Sequence, residues 1–350
     1  MEGKTATAMA TPNIALIKYW GRRNEQLNLP NNSSLSMTLD EKLSTRTSVA
    51  FSKTFKEDRL YIDGVQHDMS MNGSEKDRYI INVINTLRGL AGIDEKMLIV
   101  SRNYFPASAG LASSASGAVA LIRAISSSLG LGLSETEQSS MARQISGSAC
   151  RSSYGGIVLW NRGMKDDGSD SYAEQLFKES YWPELVDVIE IVSASKKKVS
   201  SSEGHTRTVQ TSKLYRLLPE ISESNVVLAS EAIRKKDFDA LAEIIMKSSN
   251  GMHAVMLDSY PPIRYLNDTS NAIIDAIHGM NDAEDQNIAA YTFDAGPNAH
   301  IITLEKYAER IKEELSEITG ISDTIVSRQG SGPRVLGSEA SLITDGFKLA

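Results

Sequence analysis

The sequence has 350 residues, of which 41% are hydrophobic and 23% charged, and its formal net charge is −7. This composition is typical of a soluble globular protein with a core large enough for two domains or one large domain. The negative net charge argues against non-specific nucleic-acid binding, and the single cysteine, Cys150, excludes intrachain disulfides and metal sites built from several cysteines.

The same features predict where the protein works. One cysteine fits a reducing cytoplasm. The first residues lack the basic-then-apolar layout of a secretion signal, and no apolar run reaches membrane-spanning length. We therefore expect a cytoplasmic protein without membrane contact. We expect no protein-bound zinc, because metal-ligand spacing is absent among the histidines at 67, 205, 253, 278 and 300.

The first third of the chain places a basic cluster after an apolar segment. Residues 12–17 lead into Lys18, two aromatic residues, a glycine and two arginines at 18–23. Such a cluster is either a snorkelling lysine beside a solvated turn or the wall of an anion site. The elements predicted next are strands over 35–39, 45–51 and 59–62 and a helix over 75–91. Arg78 near the start of that helix is either solvated or available to a phosphate.

Residues 102–119 predict a strand end, a turn of small residues and the start of a helix. The strand is predicted over 97–100, and apolar residues recur at helical spacing from Leu111 onward. A turn without large side chains lets an anion approach backbone N–H groups at a helix start, where the helix dipole adds about half a positive charge. The alternative is a helix entry with small residues for close packing. No Walker A motif is present.

A second loop of this kind follows one helix later. Ser134 and Glu137 form a capping-box pattern, and the helix that they begin leads to small residues at 146–156 with Arg151 at their centre. An apolar strand is predicted over 157–160. A second anion-friendly loop is harder to explain by packing alone.

The second half predicts an α+β lobe that begins near 175–185. Strands are predicted over 186–192, 289–292, 299–303 and 323–326. The pattern from 208 to 281 is mainly helical, with helices over 214–218, 226–234, 238–248 and 269–280, and a further helix is predicted over 305–318. Serines at 200–202 follow a lysine run that is best read as a solvated face. Asp294 stands at a strand end before a glycine–proline turn, as a turn residue or a functional one.

Six motifs in a fixed order carry a family resemblance. They are PNIALIKYWG at 12–21, LPNNSSL at 29–35, FPASAGLASSASG at 105–117, SGSACR at 146–151, NDTS at 267–270 and YTFDAGPN at 291–298. From Thr5 to about Leu336 the chain resembles the mevalonate diphosphate decarboxylases of the GHMP kinase superfamily. The resemblance implies a two-lobed α+β GHMP fold, with lobes at 1–185 and 186–350, and a homodimer.

The resemblance also implies a reaction. ATP, with Mg²⁺ as the counter-ion of its phosphates, phosphorylates the tertiary 3-hydroxyl of 5-diphosphomevalonate. Loss of that phosphate and of CO2 gives isopentenyl diphosphate. By resemblance, Asp294 is the base or the electrostatic partner of positive charge at C3, Lys18 orients Asp294 and lowers its pKa, and Arg151 binds the substrate carboxylate.

Binding residues follow from the same motifs. Those implied for the phosphorylated mevalonate are Tyr19, Trp20, Gly21, Arg22, Arg78, Ser146, Gly147, Ser148, Ala149, Cys150, Ser201, Ser202 and His205. Those implied for the nucleotide phosphates are Ser108, Ala109, Gly110, Leu111, Ala112, Ser113 and Ser114.

Four positions depart from the usual family pattern and keep alternatives open. Arg22 stands where lysine is usual, Ala107 where threonine is common, His205 where methionine is usual and Arg207 where an apolar residue is common. Extra polar groups near the substrate would suit a more highly phosphorylated ligand. The alternatives are an ATP-independent mevalonate 3,5-bisphosphate decarboxylase, a 5-phosphomevalonate decarboxylase and a GHMP small-molecule kinase. The presence of Lys18, Arg151 and Asp294 together disfavours the kinase and a non-catalytic scaffold.

Overall fold

The computed structural model describes residues 4–70, 72–105, 113–192, 198–344 and 348–349. The α-helices within these ranges are α1 (Glu75–Ala91), α2 (Ser113–Ser128), α3 (Glu135–Ile145), α4 (Ser201–Thr211), α5 (Leu218–Lys235), α6 (Phe238–Leu257), α7 (Asp268–Ala283) and α8 (Glu305–Ser316). None of them combines the length and the apolar character needed to cross a bilayer.

The strands form sheets whose members come from distant parts of the sequence. In chain order they are β1 (Thr5–Ala10), β2 (Asn13–Ile17), β3 (Arg22–Asn24), β4 (Leu29–Pro30), β5 (Ser34–Thr38), β6 (Thr45–Ser52), β7 (Arg59–Ile62), β8 (Val65–His67), β9 (Lys96–Asn103), β10 (Ile157–Trp160), β11 (Ala173–Phe177), β12 (Leu185–Val192), β13 (Ala289–Phe293), β14 (Ala299–Leu304), β15 (Ile321–Ser327), β16 (Arg334–Leu336), β17 (Ile343–Thr344) and β18 (Lys348–Leu349).

One core lies between a six-stranded sheet and the helices α1 to α3. The strand order is β16-β1-β6-β9-β7-β8, and only the β7–β9 pairing is parallel. Apolar residues of α2, including Val119 and Ile122, pack with Val49 and Ile99 of the sheet. The predicted capping box at Ser134 and Glu137 is confirmed at the start of α3.

A second core contains residues from both halves of the chain. It lies between the sheets β13-β14-β12-β15 and β11-β10-β5-β2 and the helices α5 to α8. Ile14 and Leu35, from the first 40 residues, pack in the same cluster as Ile189 and Phe293. The end of β2 therefore lies beside the end of β13. The architecture is α+β, as expected from the sequence. The lobe boundary at 185/186 stays a prediction, and β16 returns to pair with β1.

Several predicted helix boundaries in the second half are wrong: α5 begins at Leu218 instead of 226, and α6 ends at Leu257 instead of 248. The sequence predicted helical structure only from residue 208, whereas α4 begins at Ser201, with Ser200 as its N-cap accepting from the backbone N–H of Glu203. Most α4 residues are polar, so the helix has little of the hydrophobic periodicity on which the prediction relied. The cap and the tertiary contacts stabilise this helix.

Candidate active site

A buried lysine and an aspartate meet where two strands end. Lys18 follows β2 and is 2% exposed, and Asp294 follows β13 with half of its side chain accessible. Lys18 Nζ donates to Asp294 Oδ1 over 2.6 Å. The backbone of Lys18 is held on both sides: its N–H donates to Ser248 Oγ at 2.9 Å, and its carbonyl accepts from Asn32 Nδ2 at 2.9 Å. The ammonium group is thereby fixed against the carboxylate.

The carboxylate of this pair stays ionised over a wide pH range. Desolvation of the carboxyl would raise the pKa of Asp294, but the charge of Lys18, assisted by His300 and Arg151, lowers it to about 2. Burial lowers the pKa of Lys18, and the charge of Asp294 opposes this shift. Asp294 therefore exposes an ionised carboxylate at every pH at which a protein normally works.

Arg151 lies in the same region with neutral partners. It belongs to the short 3-10 helix Gly147–Ser153, where its Nε donates to Asn13 Oδ1 at 3.0 Å and its Nη1 to Ser34 Oγ at 2.8 Å. The side chain is buried, and no ion pair found among the described residues includes it. Burial lowers the pKa of Arg151 while Asp294 raises it. Its positive charge can therefore bind an anionic group, such as a carboxylate.

The turn after Lys18 is fixed by contacts from the second half of the chain. Trp20 is buried, and its carbonyl accepts from the Tyr215 hydroxyl at 3.0 Å. Gly21 has φ +87°, and its N–H donates to His205 Nδ1 at 2.6 Å. The Tyr19 ring lies 4.7 Å from that of Trp160. This turn joins the predicted residues Tyr19, Trp20 and Gly21 to His205.

Arg22 connects the same turn to the first turn of α4. Its Nη1 donates to Asn28 Oδ1 at 2.9 Å, and its Nη2 donates to the carbonyl and the hydroxyl of Ser202 at 3.1 and 2.9 Å. Ser201 beside it is exposed. A planar guanidinium can bind both partners, whereas the compact ammonium of a lysine cannot. These contacts explain why arginine stands at position 22, where lysine is usual in the family.

The predicted loop Ser146–Cys150 lines the other side of Tyr19. A Cβ added to Gly147 would lie 3.1 Å from Tyr19 and 3.2 Å from Trp160. The Ser148 carbonyl accepts from Asn13 Nδ2 at 3.2 Å. Ala149 and Cys150 are fully buried, and burial raises the pKa of the Cys150 thiol to about 11.

Residues implied for the nucleotide lie only in part within the described chain. Ser108, Ala109, Gly110, Leu111 and Ala112 fall outside the described residues, and α2 begins at Ser113. The Ser114 hydroxyl lies 3.4 Å from that of Ser146. The start of α2 thus adjoins the loop that carries Arg151.

Arg78 and Arg207 each have hydrogen-bond partners among the described residues. Arg78 is exposed on α1, and its Nη1 donates to the Gly73 carbonyl at 2.9 Å. Arg207 bonds Glu203 on its own helix and the carbonyl of Pro261. His205 is buried, and burial with the charge of Arg22 lowers its pKa to about 3. Neither Arg207 nor a neutral His205 adds a free positive charge for an extra phosphate.

Four supporting residues were not predicted from sequence. Asn13 and Ser34 hold Arg151, and Asn32 and Ser248 hold the backbone of Lys18. Asn32 and Ser34 belong to the LPNNSSL motif, which gave a signal without a role. A serine on the apolar, buried face of α6 was a second signal, because a buried hydroxyl needs a hydrogen-bond partner.

Two family models match this chain, one over the part that contains Lys18 and Arg151 and the other over the part that contains Asp294. Residues 10–173 match the diphosphomevalonate decarboxylase-like N-terminal domain, and residues 187–335 match the mevalonate 5-diphosphate decarboxylase C-terminal domain. The chain belongs to the diphosphomevalonate decarboxylase family. The resemblance stated from the six motifs is therefore confirmed.

Relatives named diphosphomevalonate decarboxylase are similar to this protein over nearly the whole chain. The diphosphomevalonate decarboxylase of Aspergillus fumigatus is 44% identical over 90% of this chain and 80% of its own. That of Debaryomyces hansenii is 40% identical over 97% of both chains. A solved complex of MDDEF with MVAPP, AMPPCP and magnesium has a TM-score of 0.86 and 35% identity, and the match covers 95% of this chain and 99% of that one.

Proposed function

We propose that this member of the family is an ATP-dependent diphosphomevalonate decarboxylase, converting 5-diphosphomevalonate and ATP to isopentenyl diphosphate, CO2, ADP and phosphate. The observation that carries the proposal is the Lys18–Asp294 ion pair, with 2.6 Å between Nζ and Oδ1, in the same region as the buried Arg151. None of the ion pairs found among the described residues gives Arg151 an acidic partner. A carboxylate for the 3-hydroxyl and a cation for the substrate carboxylate are what this reaction requires. The enzymes named diphosphomevalonate decarboxylase that resemble the chain support it.

In the proposed mechanism, Asp294 acts at the 3-hydroxyl end of the substrate. Its carboxylate accepts the hydroxyl proton or stabilises positive charge developing at C3, and Lys18 keeps it ionised and aimed. Arg151 holds the substrate carboxylate so that the bond to the departing CO2 is oriented. Tyr19, Gly147 and the Arg22–Ser202 contact are proposed to line the mevalonate and diphosphate part of the site.

The nucleotide is proposed to bind at the start of α2. ATP supplies the phosphoryl group that turns the tertiary hydroxyl into a leaving group. The helix N-terminus suits phosphate oxygens, and the Ser114 hydroxyl lies next to that of Ser146 in the substrate loop. Among the described residues no group of three or more acidic, histidine or cysteine side chains could hold a metal ion. We propose that Mg²⁺ enters with the nucleotide, a proposal that the complex of MDDEF with MVAPP, AMPPCP and magnesium supports.

We also propose a cytoplasmic homodimer. The buried thiol of the single Cys150 needs no oxidising compartment. The exposed apolar residues Leu217, Ile221 and Leu228, on and just before α5, support self-association, because soluble monomers rarely expose large apolar patches.

A substrate comparison tests the proposed reaction. The enzyme is incubated with 5-diphosphomevalonate, 5-phosphomevalonate and mevalonate 3,5-bisphosphate, each with and without ATP and Mg²⁺, and CO2 release is measured. We expect rapid release only from the 5-diphosphate with ATP. CO2 from the 3,5-bisphosphate without nucleotide, and none from the 5-diphosphate with ATP, would reverse the assignment.

A further inference from the structure

We propose that His205 is a positioning residue: as a neutral hydrogen-bond acceptor, it fixes the Gly21 peptide and thereby the turn that carries Lys18 and Arg22. Its ring does not contact the substrate phosphates. The consequence for substrate affinity rests on the proposed function, whereas the contact with Gly21 does not.

The hydrogen bond defines which ring nitrogen acts. The N–H of Gly21 lies 2.6 Å from His205 Nδ1 in a buried contact. A backbone N–H can only donate, so Nδ1 is the acceptor and the proton of the neutral ring is on Nε2. A doubly protonated ring would place two donors against each other.

Aromatic neighbours hold the ring in this orientation. The Trp20 ring stacks on that of His205 with centroids 4.1 Å apart and an angle of 27°, and the Tyr19 ring lies 4.7 Å away. The residue before it, Gly204, leaves room for Trp20, since a Cβ there would lie 2.9 Å from that indole. The ring is thus packed among residues of the turn that it bonds.

The contact completes the anchoring of the turn. Lys18 is held through Ser248, and the Trp20 carbonyl accepts from Tyr215. His205 supplies the bond to Gly21, whose N–H would otherwise be buried without a partner. The same helix, α4, also supplies Ser202 to the guanidinium of Arg22. One helix therefore fixes both the backbone before Arg22 and its charged end.

Three variants separate this role from the alternatives. Asparagine places its Oδ1 near the position of Nδ1 and can accept from Gly21, glutamine places its amide near the position of Nε2, and leucine offers neither. In His205→Leu we expect the KM for the phosphorylated mevalonate to rise about tenfold, the size expected for one lost hydrogen bond, with the KM for ATP nearly unchanged. His205→Asn should restore most of the affinity, and His205→Gln should behave like His205→Leu.

The outcomes decide between positioning, substrate contact and packing. Rescue by His205→Gln instead of His205→Asn would overturn the proposal and assign Nε2 to the substrate. Equal losses of thermal stability and kcat in all three variants, without a selective rise in KM, would overturn it in favour of packing. If His205→Leu does not fold, the comparison of His205→Asn with His205→Gln decides.

Substrate binding without turnover separates this proposal from the proposed function. Calorimetric titration of the wild-type protein with 5-diphosphomevalonate is carried out first. If the wild type does not bind this compound, the proposed function fails. If the wild type binds it and His205→Leu binds it equally well, only the positioning role fails.

Discussion

At the residue scale, Arg151 is a buried charge whose hydrogen-bond partners are neutral side chains. Arg151 is buried against the amide oxygen of Asn13 and the hydroxyl of Ser34, neither of which neutralises it. A guanidinium can donate to both partners and still present an N–H edge to an anion, because it carries five donors in one plane. Its value to the site therefore depends on shape as well as charge.

Replacing this arginine by lysine tests that dependence. In Arg151→Lys the charge remains, but one ammonium cannot keep both bonds and bind a carboxylate. We expect kcat/KM for 5-diphosphomevalonate to fall roughly 10- to 100-fold, with a loss of stability of about 1–3 kcal/mol from the buried hydrogen bond that lysine does not replace. The control is Arg234→Lys, an exposed arginine that pairs with Glu231, which should leave kcat/KM unchanged. Full activity of Arg151→Lys would contradict the proposed carboxylate clamp.

At the element scale, the turn after β2 can form only with glycine at position 21. Its φ of +87° lies in the region that disfavours side chains, and an added Cβ would lie 1.8 Å from the Tyr215 hydroxyl oxygen. We expect Gly21→Ala to be destabilised by more than the roughly 1–3 kcal/mol of backbone strain alone and to bind substrate more weakly. Urea unfolding and KM measure the two effects.

A matched glycine isolates the steric part. Gly92 ends α1 with φ +63°, and nothing lies within 4 Å of a Cβ placed there. Gly92→Ala should therefore lose only the strain contribution and keep its KM. Equal losses of stability in the two variants would show that Tyr215 adjusts without cost.

Glu190, a buried glutamate in β12, makes the stability of the protein depend on pH. Glu190 accepts from the Thr324 hydroxyl at 2.6 Å, while its other carboxylate oxygen is buried without a partner. Burial, with Asp187 and Asp323 nearby, raises the pKa of Glu190 to about 7. The folded state thus keeps the proton above 4.5, the ordinary pKa of a glutamate, so this group lowers the free energy of unfolding as pH rises from about 4.5 to 7.

Glutamine at this position should remove that dependence. Between pH 4.5 and 7 the wild type should lose on the order of 3 kcal/mol of stability relative to Glu190→Gln. Urea unfolding at several pH values measures the difference. Glu309→Gln, at an exposed position on α8, is the control and should follow the wild type. Parallel curves for Glu190→Gln and the wild type would contradict a raised pKa.

The elements also show what the sequence could and could not predict. Strands and helices with strong apolar periodicity, such as α1 and β12, follow from the sequence. The polar helix α4 does not, because its stability comes from its cap and from contacts such as His205 with Gly21. The roles of Asn13 and Ser34 were also hidden, since a small polar residue in a buried strand has no distinctive local pattern.

At the scale of the whole molecule, the site depends on contacts between distant parts of the chain. Lys18 and Asp294 meet because β2 and β13 end at the same place in a shared core. Local patterns contain no such information, so the family motifs were needed to pair the two residues before the fold was known. The nucleotide loop at 108–114 remains a prediction from those motifs.

The proposed homodimer gives a prediction at this scale. Leu217, Ile221 and Leu228 lie at helical spacing on and just before α5 and are 52%, 52% and 53% exposed. Light scattering of the 38.2 kDa chain should give about twice that mass. Ile221→Glu with Leu228→Glu should give a monomer, whereas Val65→Glu, at an exposed residue of β8, should remain dimeric. A monomeric wild type would exclude the homodimer.

The coupling of ADP formation to CO2 release tests the central claim most directly. With 5-diphosphomevalonate labelled in its carboxyl group, the wild type should release one CO2 for each ADP, and Asp294→Asn should lose both activities by about 10²- to 10⁴-fold while remaining folded. If the wild type formed ADP without CO2, it would be a kinase, and if it released CO2 without ADP, it would be an ATP-independent decarboxylase. An Asp294→Asn variant with activity within a few fold of wild type would remove the Lys18–Asp294 pair from the mechanism.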